Sequence, residues 1–308
     1  MELSTTTGIY QLSGNTESLR DMNEVLRVLR EIGYNTIDLS FCFHNKPDYL
    51  LRDDDWERKI DQVGETAAKL GITFYQSHLP FVKGCSTAVD PCFRKPDYQE
   101  YFDECTRRAY MASGRLGVRW AVAHPLTFPQ YNFENKVTLE ANRAYNDKFV
   151  ELGMRYGTGT AFENMLPSLD RSMPFRYCQH YEQLIELVDS YADPQVGVCW
   201  DTGHANQMKL DQPRALRTIG SRLKTLHIND NHYGNRDEHL LPYMGTIDWD
   251  GVLDALVDIG YEGSMNYETG KVTIEAYGDI QLELVKMVYR NGEYLMKRYE
   301  QALQKRKA

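Results

Sequence analysis

Features that mark exported and membrane proteins are missing from this 308-residue chain. Its six cysteines are scattered, and no two of them form a CxxC pair. The N-terminus, MELSTTTGIYQLSG, lacks both the basic and the apolar region of a signal peptide. No apolar run approaches the roughly 18 residues that span a bilayer. We therefore expect a cytoplasmic protein with free thiols and no membrane partner.

Excess basic charge and glycine-rich phosphate loops are missing too. The net charge is −9 and the isoelectric point is near 5.4. Proteins that bind nucleic acid phosphates generally present a basic face, so the composition disfavours nucleic acid as a partner. Neither GxGxxG nor GxxxxGK(S/T) occurs in the chain. Their absence argues against a doubly wound open sheet, which usually carries such a loop after an early strand.

What the chain does contain is a regular alternation of strand-like and helix-like segments. Residues 18–32, for example, have apolar side chains at helical spacing, including Val25, Leu26 and Leu29, and Gly33 follows as a stop signal. The predicted strands cover residues 7–12, 35–43, 72–79, 118–124, 159–165, 196–200, 223–228 and 263–268. The predicted helices cover residues 18–32, 53–70, 98–116, 133–156, 180–191, 213–219, 248–259 and 277–303.

Eight strands and eight helices in one unbroken alternation indicate parallel βαβ units. No composition shift or linker divides the chain, and its length is typical of one barrel. We therefore predict an α/β fold, a single (β/α)8 TIM barrel, in which residues 1–308 form one domain. The basic C-terminal end, QKRKA, is expected to fray.

Metal-binding types of side chain lie where the predicted strands end. The apolar run from Val196 to Trp200 breaks into Asp-Thr-Gly-His, which we interpret as a tight turn that carries Asp201 and His204. In a (β/α)8 barrel the carboxyl ends of all strands meet at one mouth, where the active site lies. Nine nitrogen and oxygen donors are expected at this mouth: His78, His124, Glu163, Asp201, His204, His227, Asp237, His239 and Glu268.

Such a concentration of polar and charged groups would be expensive to desolvate without a cation that balances it. Carboxylate oxygens together with imidazole nitrogens are ligands that cations of the zinc, manganese or cobalt type accept. The sequence therefore predicts a divalent-metal site at the mouth of the barrel.

The chain resembles the xylose isomerase-like TIM-barrel superfamily, which contains sugar and sugar-phosphate isomerases and epimerases together with endonuclease IV. The motifs that carry the resemblance lie throughout the chain: SHLPF (77–81), AHP (123–125), FEN (162–164), DTGHA (201–205), HIND (227–230), DEH followed by LLPYMGTIDW (237–249), and NYE (266–268). The resemblance implies a four-ligand metal site made of Glu163, Asp201, His227 and Glu268. This mixed set suits Mn²⁺, Co²⁺ or Zn²⁺ better than Mg²⁺.

The resemblance also implies a chemistry for the site. A metal that holds the carbonyl and hydroxyl oxygens of a sugar polarises the neighbouring C–H bond. Glu163 and Glu268 are then the acid and base on the two faces of that carbon, for isomerisation or epimerisation. His204 is expected to hydrogen-bond the substrate, and Arg236 to grip a hydroxyl or phosphate group. The expected partner is a small sugar or sugar phosphate, and the outer helices are compatible with a homo-oligomer.

The same superfamily supplies an alternative. Endonuclease IV binds three metals with five His, two Asp and two Glu, and the nine donors named above match that set. The reaction would then be phosphodiester hydrolysis by a metal-activated water. The acidic charge and the LLPYMGTIDW segment favour the sugar enzyme, because duplex binding draws much of its affinity from basic side chains. In that case His78, His124, Asp237 and His239 line the substrate pocket or hold additional metal.

Overall fold

The computed structural model describes residues 1–12, 18–81, 96–128, 134–167, 175–232, 234 and 237–307. Eight parallel strands in this part of the chain form the inner wall of the fold. They are β1 (Glu2–Thr6), β2 (Thr36–Ser40), β3 (Thr73–His78), β4 (Trp120–Ala123), β5 (Gly159–Glu163), β6 (Val196–Asp201), β7 (Leu223–His227) and β8 (Ser264–Tyr267).

Helices connect the strands and pack around them. Over the described residues they are α1 (Gly8–Gln11), α2 (Met22–Ile32), α3 (Trp56–Leu70), α4 (Pro96–Arg115), α5 (Asn135–Arg155), α6 (Tyr181–Asp189), α7 (Thr202–Gln207), α8 (Gln212–Ile219), α9 (Trp249–Asp258), α10 (Gly270–Ile274) and α11 (Gly278–Lys307). A membrane-crossing helix, long and apolar throughout, is not found among them.

Local sequence signals fix the ends of these helices. The Asp21 carboxylate accepts hydrogen bonds from the backbone N–H groups of Asn23 and Glu24, at 3.0 and 3.2 Å, and so caps α2. This cap explains why the helix begins at Met22, later than the apolar spacing alone predicts. Gly33 ends the helix with a φ of 133°, a backbone conformation that favours glycine.

The strands are ordered β7-β6-β5-β4-β3-β2-β1-β8. The seam between β7 and β8 is joined by a parallel bridge between Ile228 and Tyr267. The Ile228 N–H donates to the Asn266 carbonyl at 2.7 Å, and the Glu268 N–H donates to the Ile228 carbonyl at 3.0 Å. The sheet is therefore a nearly closed barrel, which confirms the predicted single (β/α)8 architecture. The closing bonds lie beside Glu268, a predicted site residue.

The apolar core lies between the strands and the surrounding helices. Trp200, Phe162, Leu26 and Trp249 are among its buried side chains. Each fully buried Leu or Phe in such a layer stabilises the fold by about 1.5–3 kcal/mol. Since this layer surrounds the strands, it holds the barrel together while the barrel interior remains available for polar groups.

The first predicted strand, residues 7–12, is wrong. β1 covers Glu2–Thr6 and pairs with both β2 and β8, and Gly8–Gln11 forms one helical turn instead. The run of threonines reads as polar and loop-like, but β-branched side chains fit a pleated strand well. Thr5 and Thr6 are in fact buried there.

Two expectations about segment ends are also corrected. The Asp-Thr-Gly-His segment is the start of α7 and not a tight turn, since the Asp201 carboxylate accepts a hydrogen bond from the His204 N–H at 2.7 Å and caps that helix. The basic C-terminal end does not fray but is helical as far as Lys307. Basic side chains at a helix C-terminus interact favourably with its carbonyl dipoles, and Arg306 also forms an ion pair with Asp258.

Candidate active site

Four predicted metal ligands come together at the carboxyl end of the barrel. Glu163, Asp201 and His227 are the last residues of β5, β6 and β7, and Glu268 directly follows β8. Strand register places Asp201 opposite His227 at one level. One ligand atom from each of the four side chains lies within 4.8 Å of the others. The His227 Nδ1 atom is 3.0 Å from Glu163 Oε1 and 3.4 Å from Glu268 Oε2.

Three of the four side chains are buried in spite of their charge, and Glu268 is partly exposed. Glu163 is 1% exposed, and Asp201 and His227 are completely buried. Burial raises the pKa of Asp201 to about 6. Burial also acts to raise the pKa of Glu163, but the adjacent His227 and His124 outweigh it and hold that pKa well below its usual range. Three clustered carboxylates therefore depend on positive charge close by.

This donor set fits a divalent metal. It offers three carboxylates and one imidazole nitrogen at mutual distances that a single ion can bridge. Oxygen and nitrogen ligands in this combination suit Zn²⁺, Mn²⁺ or Co²⁺. A bound cation would also replace the positive charge on which the ionised carboxylates depend, because a metal is usually the largest local charge in its site.

Neighbouring amides hold Asp201 in place. The Asn229 side chain donates to Asp201 Oδ2 at 2.8 Å. Asn164 brackets the backbone of the same residue: it donates to the Asp201 carbonyl at 3.0 Å and accepts from the Asp201 N–H at 2.7 Å. Since its second carboxylate oxygen caps α7, Asp201 is fixed on every side before any ion binds.

A second donor group shares Glu163. His78 ends β3 and His124 follows β4, and their Nε2 atoms lie 3.5 and 3.0 Å from Glu163 Oε2. One ligand atom from each of these three residues also lies within 4.8 Å of the others. The aromatic ring of Phe81 stacks on the His124 ring at a centroid distance of 4.8 Å. Glu163 thus has one oxygen toward the four-ligand cluster and the other toward two histidines.

Among the remaining predicted site residues, Asp237 and His239 contact each other, and His204 contacts Asn164. His239 Nε2 lies 2.8 Å from Asp237 Oδ2, and Lys271 Nζ lies 2.7 Å from the same oxygen. Burial acts to lower the pKa of His239, but the Asp237 carboxylate raises it to about 10. The His204 Nδ1 atom lies 2.8 Å from the Asn164 carbonyl. Arg236 falls outside the described residues.

Three residues that sequence reasoning did not single out also shape the site. Asn164 and Asn229 lie in the FEN and HIND motifs and fix Asp201, as described above. Asp38 is a buried carboxylate inside the barrel, with its Oδ2 atom 3.9 Å from His227 Nε2. The available signal is an acidic residue between two apolar ones, Ile37 and Leu39, in a predicted strand.

The sequence profile of the family described as xylose isomerase-like TIM barrel matches residues 26–286. This match covers most of the chain, and the chain belongs to that family. The resemblance predicted from the motifs is thereby confirmed.

Curated relatives are similar at moderate to low identity. D-psicose 3-epimerase of Ruminiclostridium cellulolyticum is 23% identical over 267 residues, which cover 85% of this chain and 82% of that protein. An uncharacterized protein of Methanocaldococcus jannaschii is 28% identical over 199 residues, which cover 63% of this chain and 64% of that protein. A Sinorhizobium fredii protein, also uncharacterized, is 39% identical over 83 residues, 27% of this chain and 26% of its own. The chain thus spans less than two thirds of these last two relatives.

Solved structures share the architecture over the full chain. A D-tagatose 3-epimerase-like protein superposes with a TM-score of 0.71 at 20% identity and covers 100% of both chains. The IolI protein with a bound zinc atom gives a TM-score of 0.74 at 19% identity, covering 97% of this chain and 99% of that one. At these identities the likeness shows the fold alone.

Gly203 offers a test of how tightly the site is packed. A Cβ atom added at this position would collide with the side-chain oxygen of Asn229, the residue that holds Asp201. We expect Gly203→Ala to lower the free energy of unfolding by about 1–3 kcal/mol, because the site must shift to accept the extra atom. Urea denaturation measures this loss. Gly270→Ala is the matched control, since no neighbour there approaches closer than 3.8 Å, and a loss as large at Gly270 would contradict the packing argument.

Proposed function

We propose that the protein is a divalent-metal-dependent isomerase or epimerase of a sugar or sugar phosphate. One observation carries the proposal: the Glu163 and Glu268 carboxylates approach the same nitrogen of His227 at 3.0 and 3.4 Å, although they come from β5 and from the end of β8. Two carboxylates that converge on one metal-binding group are placed to act on a single carbon. One removes its proton, and the same or the other returns it.

We assign metal binding to Glu163, Asp201, His227 and Glu268. A divalent ion held there supplies a Lewis acid that makes the hydrogen next to a sugar carbonyl acidic. The zinc atom of the similar IolI structure supports zinc as one candidate beside manganese and cobalt. The protein's own part is to hold the two Glu side chains ionised and to keep Asp201 from turning away.

The names of similar proteins support a sugar as substrate. They include D-psicose 3-epimerase, a D-tagatose 3-epimerase-like protein and inosose isomerase. In this proposal His204 hydrogen-bonds the substrate, and Arg236 binds a hydroxyl or phosphate group. Asp237, His239, His78 and His124 line the pocket. A cytoplasmic location, one domain over the whole chain and a homo-oligomeric state stay predictions.

Solvent exchange tests this function. The protein, loaded with Mn²⁺, Co²⁺ or Zn²⁺, is incubated in D2O with a panel of free ketoses and ketose phosphates, and the sugars are followed by NMR. We expect deuterium at the carbon next to the carbonyl together with a new isomer or epimer. A metal-loaded protein that exchanges no hydrogen on any sugar of the panel would refute the proposal.

A second candidate, phosphodiester hydrolysis at a multi-zinc site, is favoured by one observation. His78, His124 and Glu163 form a separate donor group that shares Glu163 with the first, which is what a two-ion cluster requires. The acidic charge of the chain weighs against it.

His124→Ala separates the two candidates. For the sugar enzyme we expect the metal content to stay unchanged and KM to rise, because His124 only lines the pocket. For the multi-zinc enzyme the variant loses one metal equivalent per chain. Mass spectrometry of the metal content after extensive dialysis measures the difference, with His180→Ala as a control at an exposed histidine. A lost equivalent would overturn the pocket role of His124.

A further inference from the structure

Asp38 occupies a costly position inside the barrel. It lies in β2 with 1% of its surface exposed. Its Oδ2 atom accepts hydrogen bonds from Gln76 at 3.3 Å and from Asn266 at 2.9 Å. Its Oδ1 atom has no hydrogen-bond partner among the described residues. A buried carboxylate with an oxygen that accepts no hydrogen bond destabilises the fold. We therefore expect Asp38 to have a role in the site.

The imidazole of His227 also has a buried polar atom without a hydrogen-bond partner among the described residues. His227 turns Nδ1 toward Glu163 and Glu268, and its other ring nitrogen, Nε2, lacks a hydrogen-bond partner within the described part of the chain. That nitrogen lies 3.9 Å from Asp38 Oδ2. A side-chain shift of about 1 Å brings the two atoms to hydrogen-bond distance. This contact gives the inner nitrogen of His227 a carboxylate partner.

One other feature helps to keep the ring in this orientation. The His78 ring lies nearly parallel to the His227 ring, with an interplanar angle of 11° and a centroid distance of 5.4 Å. The buried side chain of Cys199 also lies near the ring, but it carries no carboxylate. Asp38 is thus the carboxylate available to the inner nitrogen.

We propose that Asp38 is a positioning residue for the metal centre. Its carboxylate accepts a hydrogen bond from the Nε2–H group of His227, which keeps the proton on Nε2 and leaves Nδ1 free to bind the metal. A neutral histidine carries its proton on one nitrogen only, and the hydrogen bond at one nitrogen decides which of them binds the ion. This inference rests on the proposed function in one respect, the metal site of Glu163, Asp201, His227 and Glu268.

Asp38→Asn tests the proposal with little change in size. Asparagine can donate to Nε2 as well as accept from it, so the wrong tautomer becomes available. We expect the affinity for Zn²⁺, measured by competition with a chromophoric chelator, to fall about 10–100-fold. Gln76→Met is the matched control: it removes one donor to Asp38 in the same layer of the barrel but leaves the carboxylate, and we expect near wild-type affinity.

A spectroscopic measurement covers the case in which Asp38→Asn fails to fold. In wild-type protein labelled with 15N at histidine, long-range 1H–15N correlation should show the His227 proton on Nε2, shifted downfield by a carboxylate partner, with Zn²⁺ bound. In Asp38→Asn that signal should move upfield. A wild-type signal without this shift, or equal Zn²⁺ affinity in wild type and Asp38→Asn, would overturn the proposal.

The outcomes for Asp38 and for the function remain separable. A wild-type protein that binds no Zn²⁺ refutes the metal site itself, and the correlation recorded on metal-free protein still decides whether His227 Nε2 donates to Asp38. Zn²⁺ binding by wild type with no sugar exchange refutes the proposed reaction while the tautomer and affinity results decide the role of Asp38.

Discussion

Glu268→Gln is expected to lower kcat for sugar isomerisation or epimerisation by about 10²–10⁴-fold, the range in which general acid–base groups act. Glutamine keeps the size of the side chain and an oxygen that can face the metal, but it cannot take up the substrate proton. Burial acts to raise the pKa of Glu268, but His227 and His239 lower it, so the group is ionised and ready to act as a base. Steady-state kinetics on the sugar found by solvent exchange measures the loss.

Metal content must be measured on the same sample, because Glu268 is assigned both ligation and proton transfer. We expect Glu268→Gln to retain its ion when metal is supplied in excess, so that the loss is in kcat. Glu275→Gln is the control, since that carboxylate is exposed beyond the end of α10. If Glu268→Gln turns over near the wild-type rate with metal bound, the acid–base assignment is wrong.

Isotope exchange shows which of the two carboxylates, Glu163 or Glu268, removes the proton on each face of the carbon. If each Glu serves one face of the carbon, Glu268→Gln should still exchange solvent deuterium into the epimer that Glu163 deprotonates, although no epimer is produced. Loss of exchange from both epimers would indicate that Glu268 serves both faces.

Removal of the divalent ion is expected to abolish activity and to lower Tm. Three carboxylates meet at the four-ligand site, and among the described residues nearby histidines offset their mutual repulsion when no cation is bound. At a free metal concentration 100 times Kd, binding stabilises the folded state by about 2.7 kcal/mol. Chelation should therefore lower Tm by about 4 °C, as measured by scanning calorimetry.

Asp201→Asn provides the matched comparison for metal removal. It preserves the shape of the side chain and one oxygen for the α7 cap, but it weakens the ligand set. We expect chelation to lower Tm by less in this variant than in the wild type, and we expect the variant to be inactive. A wild-type protein with the same Tm and the same activity before and after chelation would show that no ion is part of the site.

Much of the fold follows from sequence pattern because parallel strands in α/β proteins are buried on both faces and read as apolar runs. β6, from Val196 to Asp201, was recognisable in this way. The pattern does not predict β1 because its buried positions are the hydroxyl residues Ser4, Thr5 and Thr6, whose burial depends on the barrel closing around them. The start of α7 was missed because Asp201 acts as a helix cap and as a site residue at once.

The position of each donor along its strand could be predicted in the same way, since Glu163 and His227 end their strands and Glu268 directly follows its own. The distances between these side chains could not be predicted, because they depend on strand register and on closure of the barrel through Ile228. The role of Asp38 was hidden for a further reason. The sequence of β2, TIDLS, alternates polar and apolar residues and so places Asp38 on the same face as Thr36 and Ser40, but all five residues are buried, and the sequence does not show that His227 lies across from Asp38.

The most direct test of the account is the metal content per chain of protein purified without chelator, measured by inductively coupled plasma mass spectrometry. We predict one Mn, Co or Zn ion per chain, bound at Glu163, Asp201, His227 and Glu268. Two or three Zn per chain would contradict the single-metal sugar enzyme and favour phosphodiester hydrolysis. A chain that binds no metal, even after reconstitution, would contradict both.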